Sequence, residues 1–249
     1  MNKLFDYMKI PPFCAVSNTI FKKLFYDNAD LNKTDRDLFT EQIDKIIWAY
    51  SFKPETINIK PYKDEEREYS EIEIIEVKLL TVGKTKRMAE IIMRAIPYPM
   101  LLVFTLNNKI QLFTAHQRTN LADPSRNTIE EFIFTDWIDM ESLTDKDKRL
   151  LEGLEIKKLS HLNYYRFYSD IVDKLIIYNA SKLIDGYIEG KTAAEVKEIY
   201  DRVVEVDEVV KSLKLRVKSE TQLNRRVEMN IEIKRLKMRE NELLRELTN

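Results

Sequence analysis

The sequence predicts an α+β domain: a mainly antiparallel sheet with packed helices, followed by a helical C-terminal region ending in a long coiled-coil-like helix. Three observations carry that expectation. Residues 71–81, EIEIIEVKLLT, alternate and are β-branched, the pattern of a strand. Met100–Leu106 is almost continuously apolar and leads through Asn107–Asn108 into a second strand-like run, as in a buried hairpin. No Pro or Gly follows Gly190, and apolar residues then recur at steps of three and four, as in a long amphipathic helix.

Residues 1–32 read as irregular with short helical pieces, because Pro11–Pro12 break an early helix. Asn28–Ala29–Asp30 precedes Leu31, and Thr34–Asp35 offers an N-cap. From 35 to 51, Leu38, Phe39, Ile43, Ile46, Ile47 and Tyr50 follow helical spacing, and Pro54 ends that helix. Thr56–Lys60 reads as a short strand closed by Pro61, and 63–70 as a charged loop or hairpin turn.

Gly83 marks the turn after the first strong strand. An amphipathic helix over 85–96 carries Met88, Ile91, Ile92 and Ala95 and stops at Pro97 and Pro99. Lys109–His116 is the returning hairpin strand, and another strand covers 129–135 before Trp137. Residues 144–186 read as helical with one or two breaks, and Gly186 and Gly190 form a joint before the last helix. The organisation expected is an α+β domain over 1–140, a helical layer over 141–190 and a charged helix over 191–249.

The chain of 249 residues is 44% hydrophobic and 33% charged, enough for one sizeable core plus a charged extension. A net charge of −1 leaves no overall attraction to nucleic acid, so any such attraction must be local. The single Cys14 favours a reducing, cytoplasmic setting. The N-terminal segment lacks an apolar signal core, and no run of about 18 apolar residues suggests a membrane span. One cysteine and two histidines disfavour a zinc site, and four glycines leave no glycine-rich phosphate cradle. Gly83–Lys84–Thr85 ends like a phosphate loop but lacks its earlier glycine.

Glu76–Val77–Lys78 is the sharpest candidate for chemistry. Residues two apart on a strand share a face. Nucleases of the PD-(D/E)xK type use such a pair, the carboxylate to hold Mg²⁺ and the lysine to orient the attacking water. They also need an acid on the adjoining strand, for which Asp64, Glu65, Glu66, Glu68 and Glu71 are available, and Glu41 on the preceding helix is a supporting candidate. The competing reading is a solvated strand face with a cross-strand ion pair. Neither His116 nor His161 has an obvious nucleophile partner, and both read as structural or surface residues. The aromatic group Tyr164, Tyr165, Phe167 and Tyr168, with Arg166, either packs a helix on the sheet or stacks on bases.

In the tail, Val203, Val206, Val210, Leu213 and Val217 form an apolar stripe that resumes at Ile233, Leu236 and Leu243. Such a stripe needs a partner helix, in this chain or another. Residues 195–208 hold six acids and two bases, and 211–239 hold ten bases and three acids. Lys211, Lys214, Arg216, Lys218, Arg225, Arg226, Lys234 and Arg235 are therefore candidates for contact with phosphates, or for pairing with an acidic helix, including the acidic start of the same tail. A fold-back needs a bend, and Ser219–Gln222, where the apolar register falters, is the place for it.

Three stretches together, IFKKLFYDNADLN…RDLFTEQIDKIIWAYSFKPETINI, AIPYPMLLVFTLNNKIQLFTAHQR with NLADPSRNTIEEFIFTDW, and QLNRRVEMNIEIKRLKMRENELL, resemble the domain of unknown function 4391 family over nearly the whole chain. The resemblance implies a bacterial setting beside restriction-modification subunits, DNA methyltransferases and helicases. It implies no reaction and no catalytic residues. The leading expectation is a non-catalytic accessory protein of a DNA-processing or phage-defence system, with no cofactor, docking through its C-terminal helix on a helicase or methyltransferase subunit or on a second copy. The alternatives are a divergent Mg²⁺-dependent nuclease using Glu76 and Lys78, and a DNA-binding protein using the basic helix.

Overall fold

The computed structural model describes residues 3–29, 31–119 and 127–248; Asp30 of the expected cap lies outside them. In chain order the helices are α1 (Lys3–Met8), α2 (Lys22–Asn28), α3 (Lys33–Glu41), α4 (Pro54–Ile57), α5 (Thr85–Ala95), α6 (Asp145–Gly153), α7 (Tyr164–Ser181), α8 (Ala193–Ser219) and α9 (Leu223–Thr248). The strands are β1 (Ala15–Ile20), β2 (Ile43–Phe52), β3 (Tyr62–Lys63), β4 (Glu68–Tyr69), β5 (Ile72–Leu79), β6 (Met100–Leu106), β7 (Lys109–Thr114), β8 (Gln117–Thr119), β9 (Asn127–Ile129), β10 (Ile133–Phe134) and β11 (Ile138–Asp139). The α+β class and the mainly antiparallel sheet expected from the sequence are those observed.

The main sheet runs β1-β2-β5-β6-β7-β10, with β11 also on β7. Every neighbouring pair is antiparallel except β5 and β6, which are parallel. Parallel neighbours need a crossover, and α5 supplies it. The β6–β7 hairpin turns on Asn107, held at φ 53°, a conformation that asparagine tolerates better than most residues.

One face of this sheet is dry. Phe25 of α2, Leu38 and Phe39 of α3, and Met88 and Ile92 of α5 pack with Ile46, Ile75, Val77 and Phe104. In the first turn of α3 the buried Asp35 carboxylate accepts from Arg87 Nε and Nη2 at 2.9 and 2.8 Å, and those hydrogen bonds hold it below the usual carboxylate range.

Helix α7 explains the aromatic group. Tyr164, Phe167 and Tyr168 are fully buried, and the Tyr168 hydroxyl donates to Met100 O at 2.8 Å and receives Ala115 N–H at 3.1 Å. These side chains are core, so stacking on bases is not their role. Tyr165 stacks on Tyr62 at 4.9 Å between ring centres.

Four expectations for the first 60 residues are corrected. The helix over 35–51 ends at Glu41, and 43–52 is strand β2. Its register slips between Ile43 and Lys45 and again between Trp48 and Tyr50. Each bulge adds a residue, so the buried positions Ile43, Ile46 and Ala49 fall three apart and imitate a helix. The cap of α3 is Asn32, whose side chain accepts from Asp35 N–H at 2.9 Å, rather than Thr34–Asp35. The strand expected over Thr56–Lys60 is not formed: Pro54–Ile57 is a helical turn, because Pro54 presets the helical φ at N1, and 58–60 carry no strand. Residues 15–20, read as irregular, pair with β2.

The chain forms two compact units, Met1–Leu175 and Ile176–Asn249. In the second, the segment read as one helix over 191–249 is two helices, broken at 220–222 where the apolar register falters. Thr192 and Glu195 form a capping box at the start of α8. Arg202 reaches Glu246 across the α8/α9 hairpin at 4.0 Å. Among the described residues no helix is long and apolar enough to cross a membrane.

Candidate functional site

The sheet face opposite the dry core holds a cleft of about 580 Å³, in the range of small-ligand sites. Alternation along β5 decides who lines it. Ile75 and Val77 point into the core, so Glu76 and Lys78 point into the cleft. Glu76 is only 8% exposed, whereas Lys78 is exposed.

Strand β2 brings the second carboxylate. Ile47 lies opposite Glu76 and Lys45 opposite Lys78, with Asp44 the extra residue of the bulge. That slip is why the consecutive residues Asp44 and Lys45 both line the cleft. Lys3 of α1, Ser17 of β1, and Thr105, Asn107 and Asn108 by the β6–β7 turn complete its polar lining. Phe5 and Tyr50 form an apolar wall, edge to face at 5.0 Å. Burial, then the nearby carboxylates of Asp6 and Glu76, push the Tyr50 phenol up.

The sequence placed Glu76 and Lys78 on one strand face, and they share this cleft. It did not find Asp44, which lay in the segment read as helix. The expected acids lie elsewhere. Asp64 accepts from Glu66 and Arg67 N–H in the β3–β4 turn at 2.8 and 2.6 Å, Glu68 pairs with Lys63 at 2.6 Å, and Glu71 meets Lys53 at 3.6 Å. Glu41 is exposed at the end of α3, a helix that packs on the dry face, and it does not line the cleft.

No group of three or more His, Cys, Asp and Glu side chains converges into a metal cage among the described residues. The cleft instead offers two carboxylates beside three lysines. Mg²⁺ is held by one or two carboxylates together with water and substrate phosphates, so this donor set fits that ion better than a dedicated protein cage.

The histidines are structural. His116 Nδ1 lies 2.9 Å from the Tyr69 hydroxyl, and burial lowers its pKa. His161 Nε2 lies 3.2 Å from Ile156 O. In the phosphate-loop fragment, Gly83 packs against the Gln42 side chain and the Thr85 hydroxyl donates to Gln111 Oε1 at 2.8 Å.

In the second unit the stripe read as a partner interface lies within a helical hairpin. Val203, Val210 and Leu243 are buried, while Val206, Leu213, Val217, Ile233 and Leu236 are half-buried. The candidate phosphate-binding residues Lys211, Lys214, Arg216, Lys218, Arg225, Arg226, Lys234 and Arg235 are all exposed. Lys211 pairs with Asp207 at 2.6 Å and Arg235 with Glu232 at 3.4 Å.

A family model described as a domain of unknown function, DUF4391, matches residues 8–239. The chain belongs to the DUF4391 family. The match takes in the cleft strands and nearly all of the hairpin. No curated protein and no solved structure matches the chain.

Proposed function

We propose that this member of the DUF4391 family is a Mg²⁺-dependent phosphodiesterase acting on DNA, with its centre at Asp44, Glu76 and Lys78. One observation carries the reading: these three side chains, from two paired strands, line a single cleft. It supplies the adjoining-strand acid that the E-x-K pair requires.

Asp44 and Glu76 are the residues that hold the ion, which when bound polarises a phosphodiester oxygen and activates water. Lys78 orients the attacking water and balances charge developing on the phosphate. Lys3 and Lys45 meet neighbouring phosphates, and the Phe5–Tyr50 wall excludes solvent from the shielded side of Glu76.

The test is Mg²⁺-dependent cleavage of labelled single- and double-stranded DNA by the full chain, with Mn²⁺ binding followed by electron paramagnetic resonance. Glu76→Gln and Asp44→Asn are expected to lose both, while Lys78→Ala keeps Mn²⁺ binding and loses about 10²-fold or more in rate. Wild-type Mn²⁺ binding that survives in both carboxylate variants, or cleavage that survives in Lys78→Ala, refutes the assignment.

A second reading, an accessory role in a DNA-processing or phage-defence complex, draws support from α9. Leu223, Val227, Ile231 and Met238 are exposed and share one helix face by their spacing. In this reading that face docks on a helicase or methyltransferase subunit. Capture of such a subunit by the full chain, lost in Val227→Asp/Ile231→Asp, is its test; equal capture by both sinks it.

A further inference from the structure

Folding at 220–222 redistributes the charge of the tail. The bend end, 211–234, holds seven bases and three acids, net +4. The stem, 193–210 with 235–248, holds six bases and nine acids, net −3. In the stem, opposite charges meet locally: Lys197 with Asp201 at 2.5 Å, Arg239 with Glu242 at 2.9 Å. At the bend end, Lys214, Lys218 and Arg226 form no ion pair among the described residues. Arg216 and Arg225 share the neighbourhood of Glu220. That carboxylate is engaged by the bend, accepting Thr221 and Gln222 N–H at 2.8 and 2.9 Å.

Lys214, Arg216, Lys218, Arg225 and Arg226 are all exposed. Successive helical residues lie about 100° apart, so Arg216 falls roughly 160° around α8 from Lys218, and Arg226 about 100° around α9 from Arg225; the cations lie on more than one side of each helix rather than along one apolar face. A membrane-surface helix needs the second arrangement. Cations around a narrow end suit a polyanion with phosphates on several sides, and arginine forks match phosphate geometry.

We propose that the bend end of the α8/α9 hairpin is a nucleic-acid grip, binding the phosphate backbone through Lys214, Arg216, Lys218, Arg225 and Arg226. The choice of nucleic acid as the polyanion rests on the phosphodiesterase reading of the cleft. Contacts to the phosphate backbone carry no sequence information and weaken with salt, so this binding is indifferent to sequence and sensitive to salt.

The experiment is fluorescence anisotropy of the full chain with a labelled DNA duplex in EDTA, over a KCl series. Lys214→Gln/Lys218→Gln/Arg225→Gln/Arg226→Gln is expected to bind about tenfold more weakly or worse, with a salt slope shallower by about 0.9 for each phosphate that the variant leaves unneutralised. Unchanged helical circular dichroism verifies its fold, and stem variant Lys237→Gln/Arg245→Gln is expected to bind as wild type. Unchanged affinity and slope in the bend variant overturn the proposal. So does displacement of the duplex by polyglutamate as effective as by unlabelled duplex, which marks an acidic protein as the ligand. Because the assay excludes Mg²⁺, binding by the bend without cleavage in Mg²⁺ overturns only the phosphodiesterase reading. Cleavage by a protein whose bend variant binds normally overturns only this one.

Discussion

Raising the pH from about 5 to about 8 is expected to destabilise the sheet domain through Glu73. This carboxyl has no exposed surface. Its Oε2 accepts Trp48 Nε1–H at 2.5 Å and its Oε1 accepts the Ser51 hydroxyl at 3.0 Å. Burial outweighs those two hydrogen bonds and pushes its pKa from 4.5 up to about 7. The folded chain therefore holds the proton more tightly than the unfolded chain. The associated stability is fully present below about 4.5 and is lost as the pH rises through about 7. One proton of difference is worth about 1.4 kcal/mol per pH unit, and a window from 4.5 to about 7 gives a loss of ~3 kcal/mol. Urea unfolding at several pH values, followed by Trp48 fluorescence in a Trp137→Phe background, reads this directly. Glu73→Gln stays neutral throughout and keeps an oxygen for Trp48 or Ser51. It is expected to remove Glu73's share of the slope and to exceed its parent by up to ~3 kcal/mol above about pH 8. Asp173, also raised by burial and by Asp170, slopes the same way, so the parent-minus-variant difference isolates Glu73. A difference constant from about pH 4 to 8 refutes the reasoning.

Tyr168→Phe removes the hydroxyl that serves Met100 O and Ala115 N–H. With both groups buried the expected cost is about 1–3 kcal/mol, read by urea unfolding. Arg87→Ala strands the Asp35 carboxylate, whose side chain is 4% exposed. Because Arg87 itself is 38% exposed, solvent softens the loss to about 1–2 kcal/mol, and a loss below about 0.3 kcal/mol would show that water replaces the guanidinium. Leu243→Ala empties a fully buried position of the hairpin; hydrogen exchange over 193–248 is expected to speed up by the equivalent of about 2–5 kcal/mol, while β5 keeps its protection.

The parts of the fold legible in the sequence are those whose periodicity is unbroken. Strand β5 alternates over Ile75–Leu79, β6 is apolar but for Thr105 and buried over Met100–Phe104, and α5 carries one apolar stripe. Strand β2 was illegible because two bulges reset its alternation. The same bulges hid half of the candidate site. With 43–52 reading as helix, the sequence offers acids for an adjoining strand only at 64–71, just upstream of Glu76. The hairpin bend was legible in part: Ser219–Gln222 marks the place, but the apolar stripe fits a partner from any chain.

The sequence by itself determined the α+β class, the central strand with Glu76 and Lys78 on one face, and the charge asymmetry of the tail. These follow from local periodicity and composition, which act over a few residues. Tertiary structure alone decided that Asp44 joins Glu76 and that the basic segments of two helices meet at one end. Both depend on strand register and chain reversal, which bring together residues far apart in sequence, and register is set by the packing of whole faces rather than by neighbouring residues.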